Sequence, residues 1–191
     1  MIIALLGASG SGKSLVEKKI AMKLNYSRII PYTTRTPRTN EINGEDYFFI
    51  TNLKFENAIN DELFAEYYKY PKGRSYGTLK ADYCGDKIVS ITPDGLRQIK
   101  RYITKDNIFS IYIKANLGTR VKRYIERCGI KEFDYSDMEE ISSRVNRDYG
   151  MFLGIEREVN MVIENNEGDD IETIVQKIIK DIEKVQKEKR K

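Results

Sequence analysis

The chain has 191 residues, of which 40% are apolar and 32% charged, and its formal net charge is +4. This balance is typical of one globular α/β domain, and the excess of positive charge is too small to predict a nucleic-acid-binding surface. There is no histidine, which excludes a serine–histidine–aspartate triad, and Cys84 and Cys128 are too few for a disulfide framework or a zinc site.

Short apolar runs alternate with helical patterns along most of the chain, which predicts an α/β fold with a parallel sheet and helices on both faces. Residues 32–84 interrupt this alternation and predict an inserted lobe. Ser136 and Glu139 have the spacing of a capping box, which predicts a helix from residue 137. The predicted strands are 1–6, 27–30, 46–50, 63–70, 86–91, 107–113 and 159–165. The predicted helices are 13–24, 53–60, one from Pro93, 117–128, 137–150 and one from Asp169.

A glycine-rich stretch, "GASGSGKS", follows the first predicted strand and opens the first predicted helix. It fits the pattern G-x-x-x-x-G-K-[ST] in the structural context that gives this motif its meaning. Small residues let backbone N–H groups surround phosphates, and the helix N-terminus adds a partial positive charge. The residues expected to bind a nucleoside triphosphate are Gly7, Ala8, Ser9, Gly10, Ser11, Gly12, Lys13 and Ser14, with the Ser14 hydroxyl as a ligand of Mg²⁺.

A second stretch, "YTTRTPRTNEINGEDYFF" at residues 32–49, carries two arginines. Arg35 and Arg38 flank Pro37, and the stretch ends in a predicted strand that carries the Tyr47 hydroxyl. Guanidinium groups bind phosphate through paired hydrogen bonds, so the pattern predicts a second phosphate site in the inserted lobe.

Together, the two stretches closely resemble guanylate kinases, the nucleoside monophosphate kinases that transfer a phosphate from ATP to GMP. The similarity continues in the same order through "LFAEYYKY", "SYGT", "ERCG", "EEISSRV" and "VIENN" and covers most of the chain. It implies the P-loop nucleoside monophosphate kinase fold, with a parallel-sheet core flanked by helices, an inserted acceptor-binding lobe and a helical lid. The implied single kinase domain has its core at 1–31, 85–119 and 149–191, its GMP-binding lobe at 32–84 and its lid at 120–148.

The resemblance also implies a role for individual residues of this chain. The implied catalytic residues are Lys13, Arg38, Arg127 and Arg144. Arg147 lies three residues beyond Arg144 and could assist it. Asn165 is implied to lie on the adenine side of the ATP site. The implied GMP-binding residues are Arg35, Arg38, Tyr47 and Tyr76 at the phosphate, and Glu66, Thr78 and Thr92 at the base.

Three positions depart from the family's pattern. The family usually has a serine that contacts the base where this chain has Pro31. It also has two aspartates, one near magnesium and one near the base, where this chain has Ser90 and Thr92. We therefore expect magnesium to rest on the P-loop serine, phosphates and water. Recognition of guanine is expected to depend on Glu66 and Thr78.

Two alternatives stay open at this point. One keeps the fold and the chemistry but takes another phosphorylated acceptor, such as another nucleotide or a ribose phosphate. The other is a non-catalytic guanylate-kinase-like domain that binds protein partners. Arg144 also has a simpler explanation, an ion pair with Asp148 at i,i+4.

No apolar run approaches the length of about 20 residues that a membrane span needs, and the first residues lack the charged start of a signal peptide. The sequence therefore predicts a cytoplasmic enzyme that takes ATP and GMP as substrates, with no nucleic-acid or membrane partner. The same reasoning leaves the oligomeric state open between monomer and homodimer.

Overall fold

The computed structural model describes residues 1–70 and 73–189; residues 71–72 of the inserted segment and 190–191 at the C-terminus lie outside the described residues. Two sheets and six helices are found within those ranges. The strands are β1 (Ile2–Leu6), β2 (Ser27–Arg28), β3 (Tyr32–Thr33), β4 (Phe48–Phe49), β5 (Phe64–Tyr70), β6 (Arg74–Leu79), β7 (Lys87–Ser90), β8 (Ile108–Lys114) and β9 (Met161–Glu164). The helices are α1 (Lys13–Leu24), α2 (Asn52–Asn60), α3 (Pro93–Ile99), α4 (Leu117–Cys128), α5 (Tyr135–Phe152) and α6 (Ile171–Lys189).

The core sheet is parallel, with strand order β2-β7-β1-β8-β9. Its central strand β1 is buried along its whole length and sends alternate side chains into two apolar clusters. Ile3 and Leu5 pack with α1 and α6, whereas Ile2, Ala4 and Leu6 pack with α3. A parallel sheet covered on both faces requires such continuous apolar strands, and the prediction of this architecture is confirmed.

The second sheet, with strand order β4-β3-β6-β5, is built from the segment that the sequence predicted as an insertion. Strand β5 matches its prediction closely, whereas the predicted strand at 46–50 is reduced to the two residues of β4. Strands β3 and β6 were not predicted, because neither has a strong apolar alternation. Both are held by antiparallel pairing, β6 with β5 over most of its length and with β3 at Tyr76 and Gly77.

The predicted capping box was wrong by two residues. Helix α5 begins at Tyr135, and its N-cap is Asp134, whose carboxylate accepts from the Asp137 N–H at 2.9 Å. The Asp137 carboxylate in turn accepts from the Asp134 backbone N–H, which completes the reciprocal motif that the sequence placed at Ser136 and Glu139. Both pairs have the same spacing, and the extended backbone at Asp134 decides between them.

Helix lengths and compositions bear on whether a membrane could be crossed. Across residues 1–70 and 73–189, none of the helices is both long enough and apolar enough to span a bilayer. The division into core, lobe and lid stays a prediction, although the second sheet falls inside the predicted lobe and α5 begins inside the predicted lid.

Candidate active site

A cleft of about 700 Å³ opens at the carboxyl ends of β1 and β7. This is the edge of a parallel α/β sheet where ligands are generally bound. The P-loop, the second sheet and the helices α4 and α5 all contribute to its walls. The predicted site residues that line it are residues 7–14, Arg38, Tyr47, Glu66, Tyr76, Thr92, Arg127 and Arg144. Arg35, Thr78 and Asn165 do not line it, but each contacts a residue that does.

The P-loop needs its glycines because of its backbone and its close neighbours. Gly10 and Gly12 have φ angles of +80° and +82°, which side-chain-bearing residues rarely adopt. A Cβ on Gly10 would lie 2.6 Å from the Arg120 carbonyl oxygen, and one on Gly12 would lie 2.3 Å from Asn165 Nδ2. Helix α1 begins at Lys13 with no side-chain cap, so its first N–H groups face the loop with the partial positive charge that attracts anions.

Asn165 and Arg123 brace the P-loop. The buried Asn165 side chain donates from Nδ2 to the Ser11 carbonyl at 2.8 Å. Arg123 donates from Nη1 to the Gly10 carbonyl at 3.2 Å and to the Asn165 carbonyl at 3.0 Å. Sequence reasoning missed Arg123, because nothing distinguishes it from the other cations of the basic helix α4.

Asp148 ties the P-loop to α4 and α5. Its Oδ2 accepts from the Ser9 backbone N–H at 2.9 Å and from Arg120 Nη2 at 2.6 Å. The i,i+4 pair between Arg144 and Asp148 is therefore not formed, and Arg144 pairs instead with Glu140, at 2.5 Å. Asp148 is buried, and a buried carboxylate is retained where partners approach from several elements.

Burial lowers the pKa of the Lys13 ammonium, and the negative charges of Glu17 and Asp148 oppose that shift. Lys13 is the first residue of α1 and lines the cleft. The ammonium group is thus partly desolvated, a setting in which a phosphate would be attracted strongly.

Arg35 is held behind the cleft by Glu41. Its two terminal nitrogens donate to the Glu41 carboxylate at 2.7 and 2.8 Å, and its Nε donates to the Tyr76 hydroxyl at 3.2 Å. Glu41 also accepts from Arg38, whose side chain is about half exposed and lines the cleft. Sequence reasoning missed Glu41; its position three residues after Arg38 was the available signal.

Tyr47, directly before β4, and Tyr76, on β6, both line the cleft, with ring centroids 5.8 Å apart. The Arg35 guanidinium lies 5.2 Å from the centre of the Tyr47 ring. Burial raises the pKa of Tyr47 to about 12, so its hydroxyl stays protonated and can donate a hydrogen bond at neutral pH.

Glu66 belongs to a buried chain of hydrogen bonds. Thr78 Oγ1 donates to Glu66 Oε1 at 2.8 Å and lies 2.7 Å from the Tyr83 hydroxyl. A threonine hydroxyl has one proton, so Tyr83 must donate to Thr78 whenever Thr78 donates to Glu66. Burial raises the pKa of Glu66 to about 7, and the bonds from Thr78 oppose the shift. The carboxylate faces the cleft and can accept from a ligand N–H when it is ionised.

The three departures from the family pattern all lie at the cleft. Thr92 caps helix α3 by accepting from the Gly95 N–H at 3.0 Å, which leaves its hydroxyl proton available. Ser90 donates to the buried carboxylate of Glu17 at 2.5 Å. Pro31 lines the cleft without offering a side-chain donor. Sequence reasoning missed Glu17, whose partner is 73 positions away.

Arginines from α4 and α5 line the same cleft as Arg38. Arg127 and Arg144 lie 5.5 and 5.0 Å from the centre of the Tyr124 ring. Burial lowers the pKa of Arg127, and the positive charges of Arg38 and Arg144 lower it further. Such mutual repulsion would be relieved by an anion bound between them. Arg147 also lines the cleft and packs 5.0 Å from the centre of the Tyr70 ring.

The donor set of the cleft fits a magnesium ion that arrives with a nucleotide. Among the described residues, no group of three or more acidic, histidine or cysteine side chains could hold a metal ion alone. Mg²⁺ commonly keeps several waters and takes phosphate oxygens with only one or two protein ligands. The Ser14 hydroxyl at the start of α1 is one suitable ligand.

Comparisons with known proteins agree on one family. The family model described as guanylate kinase matches residues 1–182. A guanylate kinase from Prochlorococcus marinus is 31% identical over 94% of this chain and 96% of its own length. A guanylate kinase from Clostridium tetani is 33% identical, over 66% of this chain and 63% of its own length.

A solved structure extends the agreement to the fold. The crystal structure of a guanylate kinase from Anaplasma phagocytophilum superposes with a TM-score of 0.68, at 19% identity, over 96% of this chain and 84% of that one. At this identity the likeness shows a shared fold. The family model and the relatives show more, and this chain belongs to the guanylate kinase family, a family of phosphate-transferring enzymes.

Proposed function

We propose that this chain transfers the γ-phosphate of ATP to GMP or dGMP in a magnesium-dependent reaction. The observation that carries the proposal is the composition of the cleft. The P-loop with Lys13 lines the same cleft as Arg38, two tyrosine hydroxyls and the Glu66 carboxylate. Two sets of cationic and N–H or O–H groups in one cleft suit a donor and an acceptor that both carry phosphate.

On the donor side, residues 7–14 would bind the phosphates of ATP through backbone N–H groups and the Lys13 ammonium. Asn165 would act through the loop that it braces. Ser14 would ligate the magnesium ion, which supplies neutralisation of charge on the phosphate oxygens when it is bound.

On the acceptor side, Arg38, Tyr47 and Tyr76 would bind the GMP phosphate. While Arg35 is paired with Glu41, it would orient the Tyr76 hydroxyl. If Glu41 releases Arg35, the Arg35 guanidinium would bind the GMP phosphate directly. At the base, the Glu66 carboxylate would accept from guanine N1–H and the exocyclic amine, and Thr78 would hold it in place. Thr92 would contribute through its free hydroxyl proton.

The chemistry requires alignment and positive charge more than proton transfer. A phosphate acceptor is already a nucleophilic anion, so the absence of histidine from the sequence is no obstacle. Lys13, Arg127 and Arg144 would neutralise the charge that develops around the transferred group. Closure of the predicted lid would exclude water and suppress hydrolysis of ATP.

The test is ADP release with ATP and Mg²⁺, with GMP, dGMP, AMP, UMP, CMP and ribose 5-phosphate compared as acceptors. Stimulation by GMP and dGMP alone is the expected result. Activity with another acceptor would keep the mechanism but overturn the assignment of Glu66 and Thr78 to guanine. Binding of ATP without transfer to any acceptor would favour the non-catalytic alternative.

The proposal carries two further parts. We propose a cytoplasmic location, where both nucleotides are available, with neither nucleic acid nor membrane as a partner. We propose a monomer or a homodimer, which light scattering coupled to size exclusion would decide.

Ionisation of Glu66 is expected to make GMP binding depend on pH. With a pKa of about 7, the carboxyl is roughly 10% ionised at pH 6 and 90% ionised at pH 8. Only the ionised form accepts from both guanine donors, so KM for GMP should fall about tenfold between these values. Initial-rate kinetics at saturating ATP would measure this change.

The matched control for this pH effect is Glu66→Gln. The GMP phosphate itself titrates near pH 6, and that contribution remains in the variant while the carboxyl titration is lost. A fall in KM with pH that is equally steep in the variant would contradict the assignment to Glu66.

The raised pKa of Glu66 also affects stability. Above pH 7 the ionised carboxyl lowers the free energy of unfolding by about 3 kcal/mol, and this penalty disappears below pH 4.5, where the group is protonated in both the folded and the unfolded state.

A further inference from the structure

Glu17 is a buried carboxylate that the proposed function leaves without a role. Its residue is 4% exposed, and it lies on helix α1 inside the wall of the cleft. It follows Ser14 by three positions and Lys13 by four, so all three side chains occupy one face of the helix. A charged group is rarely kept in such a place unless it is paired or used.

The contacts of Glu17 do not use up its carboxylate. Oε2 accepts from the Ser90 hydroxyl at 2.5 Å, and Oε1 accepts from Arg28 Nε at a long 3.4 Å. An ionised carboxylate has about four acceptor positions. Two of these remain for a group in the cleft.

Ser90 locates Glu17 relative to the sheet. Ser90 is the last residue of β7 and pairs in register with Leu5 of β1, two residues before the P-loop begins. In P-loop enzymes generally, magnesium is held by the P-loop serine or threonine together with a carboxylate. At the end of β7 this chain has the Ser90 hydroxyl instead of a carboxylate. That hydroxyl donates a hydrogen bond to the Glu17 carboxylate on α1.

Each of the other carboxylates that line the cleft is bonded to a side chain of another residue. Each of them bonds to a side chain of the lobe or of helices α1, α4 and α5, and none lies on the P-loop helix itself. They are Glu41 with Arg35, Asp46 with Lys18, Glu66 with Thr78, Glu140 with Arg144 and Asp148 with Arg120. Glu17 is thus the candidate for a cation that enters with the phosphates of a nucleotide.

We propose that Glu17 supplies the carboxylate for the magnesium ion of bound MgATP, with Ser90 holding it in position. The inference rests on the proposed function only in taking ATP as the nucleotide, and it is independent of the acceptor. It also accounts for Ser90, because a serine at the end of β7 can bind a carboxylate that comes from α1, whereas an aspartate there would repel it.

The test is the affinity for ATP by isothermal titration calorimetry, with Mg²⁺ and with EDTA, and with no acceptor present. The ratio of the two affinities reports the coupling between metal and nucleotide. In Glu17→Gln, which keeps the side-chain shape, that ratio should fall at least tenfold, while the affinity without Mg²⁺ changes less than threefold. Mn²⁺ titration followed by electron paramagnetic resonance gives a second readout on the same samples.

Two further variants keep the outcome interpretable. Arg28→Met removes the long ion pair but leaves the carboxylate, so the ratio should stay as in the unmodified chain. The exchange variant Glu17→Leu with Ser90→Asp moves the carboxylate to the strand and should restore the ratio. If Glu17→Gln weakens ATP binding equally with and without Mg²⁺, or if Arg28→Met lowers the ratio as much as Glu17→Gln, Glu17 is a structural partner of Arg28 and the inference is overturned.

Absence of GMP-dependent transfer would count against the proposed function but not against this inference, because the metal dependence of ATP binding is measured separately. Conversely, transfer to GMP with a ratio unaffected by Glu17→Gln would leave the proposed function standing and remove Glu17 from the metal site.

Discussion

Replacement of Lys13 by methionine is expected to lower kcat for phosphoryl transfer by about 10³-fold or more. The ammonium group is buried at the start of α1 and faces the cleft, where its charge is weakly screened. Methionine keeps the length of the side chain and removes only the charge. Coupled measurement of ADP release under saturating ATP, Mg²⁺ and GMP would show the loss.

Lys23→Met is the control for this experiment. Lys23 lies in the last turn of the same helix and pairs with Glu172 on the surface, away from the cleft. We expect its kcat within twofold of the unmodified chain, because exposed ion pairs contribute about 0–1 kcal/mol. A Lys13→Met enzyme that retained a tenth of the activity or more would show that Lys13 does not stabilise the transferred group.

Replacement of Arg144 by methionine is the second large expected effect, again about 10³-fold in kcat, with KM for GMP changed less than tenfold. The guanidinium is oriented by Glu140 and by the Tyr124 ring, and it contributes to the positive charge around Arg127. Charge delivered only at the transition state alters kcat more than ground-state binding. Arg144→Lys should recover part of the rate, since lysine restores the charge without the planar fork.

The control here is Arg97→Met, which removes a guanidinium from surface ion pairs with Asp94 and Glu158. Its kinetic constants should match those of the unmodified chain. A rise in KM for GMP with unchanged kcat in Arg144→Met would make Arg144 a ground-state binding residue and would remove it from the catalytic set.

Glu66 and Glu17 illustrate two uses of burial in one cleft. Burial raises the pKa of Glu66 to about 7 despite the hydrogen bond from Thr78, so its charge becomes sensitive to pH. Glu17 lies near Lys13 and Arg28 and is the proposed carboxylate ligand of the magnesium ion. We therefore expect the acceptor side to respond to pH near neutrality and the donor side to respond to magnesium.

Features that depend on neighbouring residues were predictable from the sequence. The P-loop, the buried strands at 1–6 and 107–113 and the helix at 13–24 follow from glycine spacing and apolar periodicity, which act over a few residues. The alternation of strands and helices implied the parallel sheet, because parallel strands require crossover connections. The interruption of that alternation also marked out the segment that forms the second sheet.

Weak local signals failed where several choices had similar energies. Asp134 and Ser136 both offer an acceptor three residues before an acidic side chain, so the sequence could not decide between them. The N-cap of α5 lies at Asp134. Strand β6 has a central glycine and polar neighbours, and only its pairing with β5 and β3 makes it a strand. Such pairings join segments of chain whose mutual distance no local pattern encodes.

The sequence was sufficient for the family, the phosphate loop and a set of site residues most of which line the cleft, because each of these depends on motif spacing within a short segment. The partners that hold those residues in place could be identified only in the folded chain. Glu17 meets Ser90 across 73 positions, Asp148 meets Ser9 across 139, and Asn165 meets Ser11 across 154. These partners come together because the parallel strands bring their carboxyl ends to one edge, where buried polar groups must find partners or lose free energy.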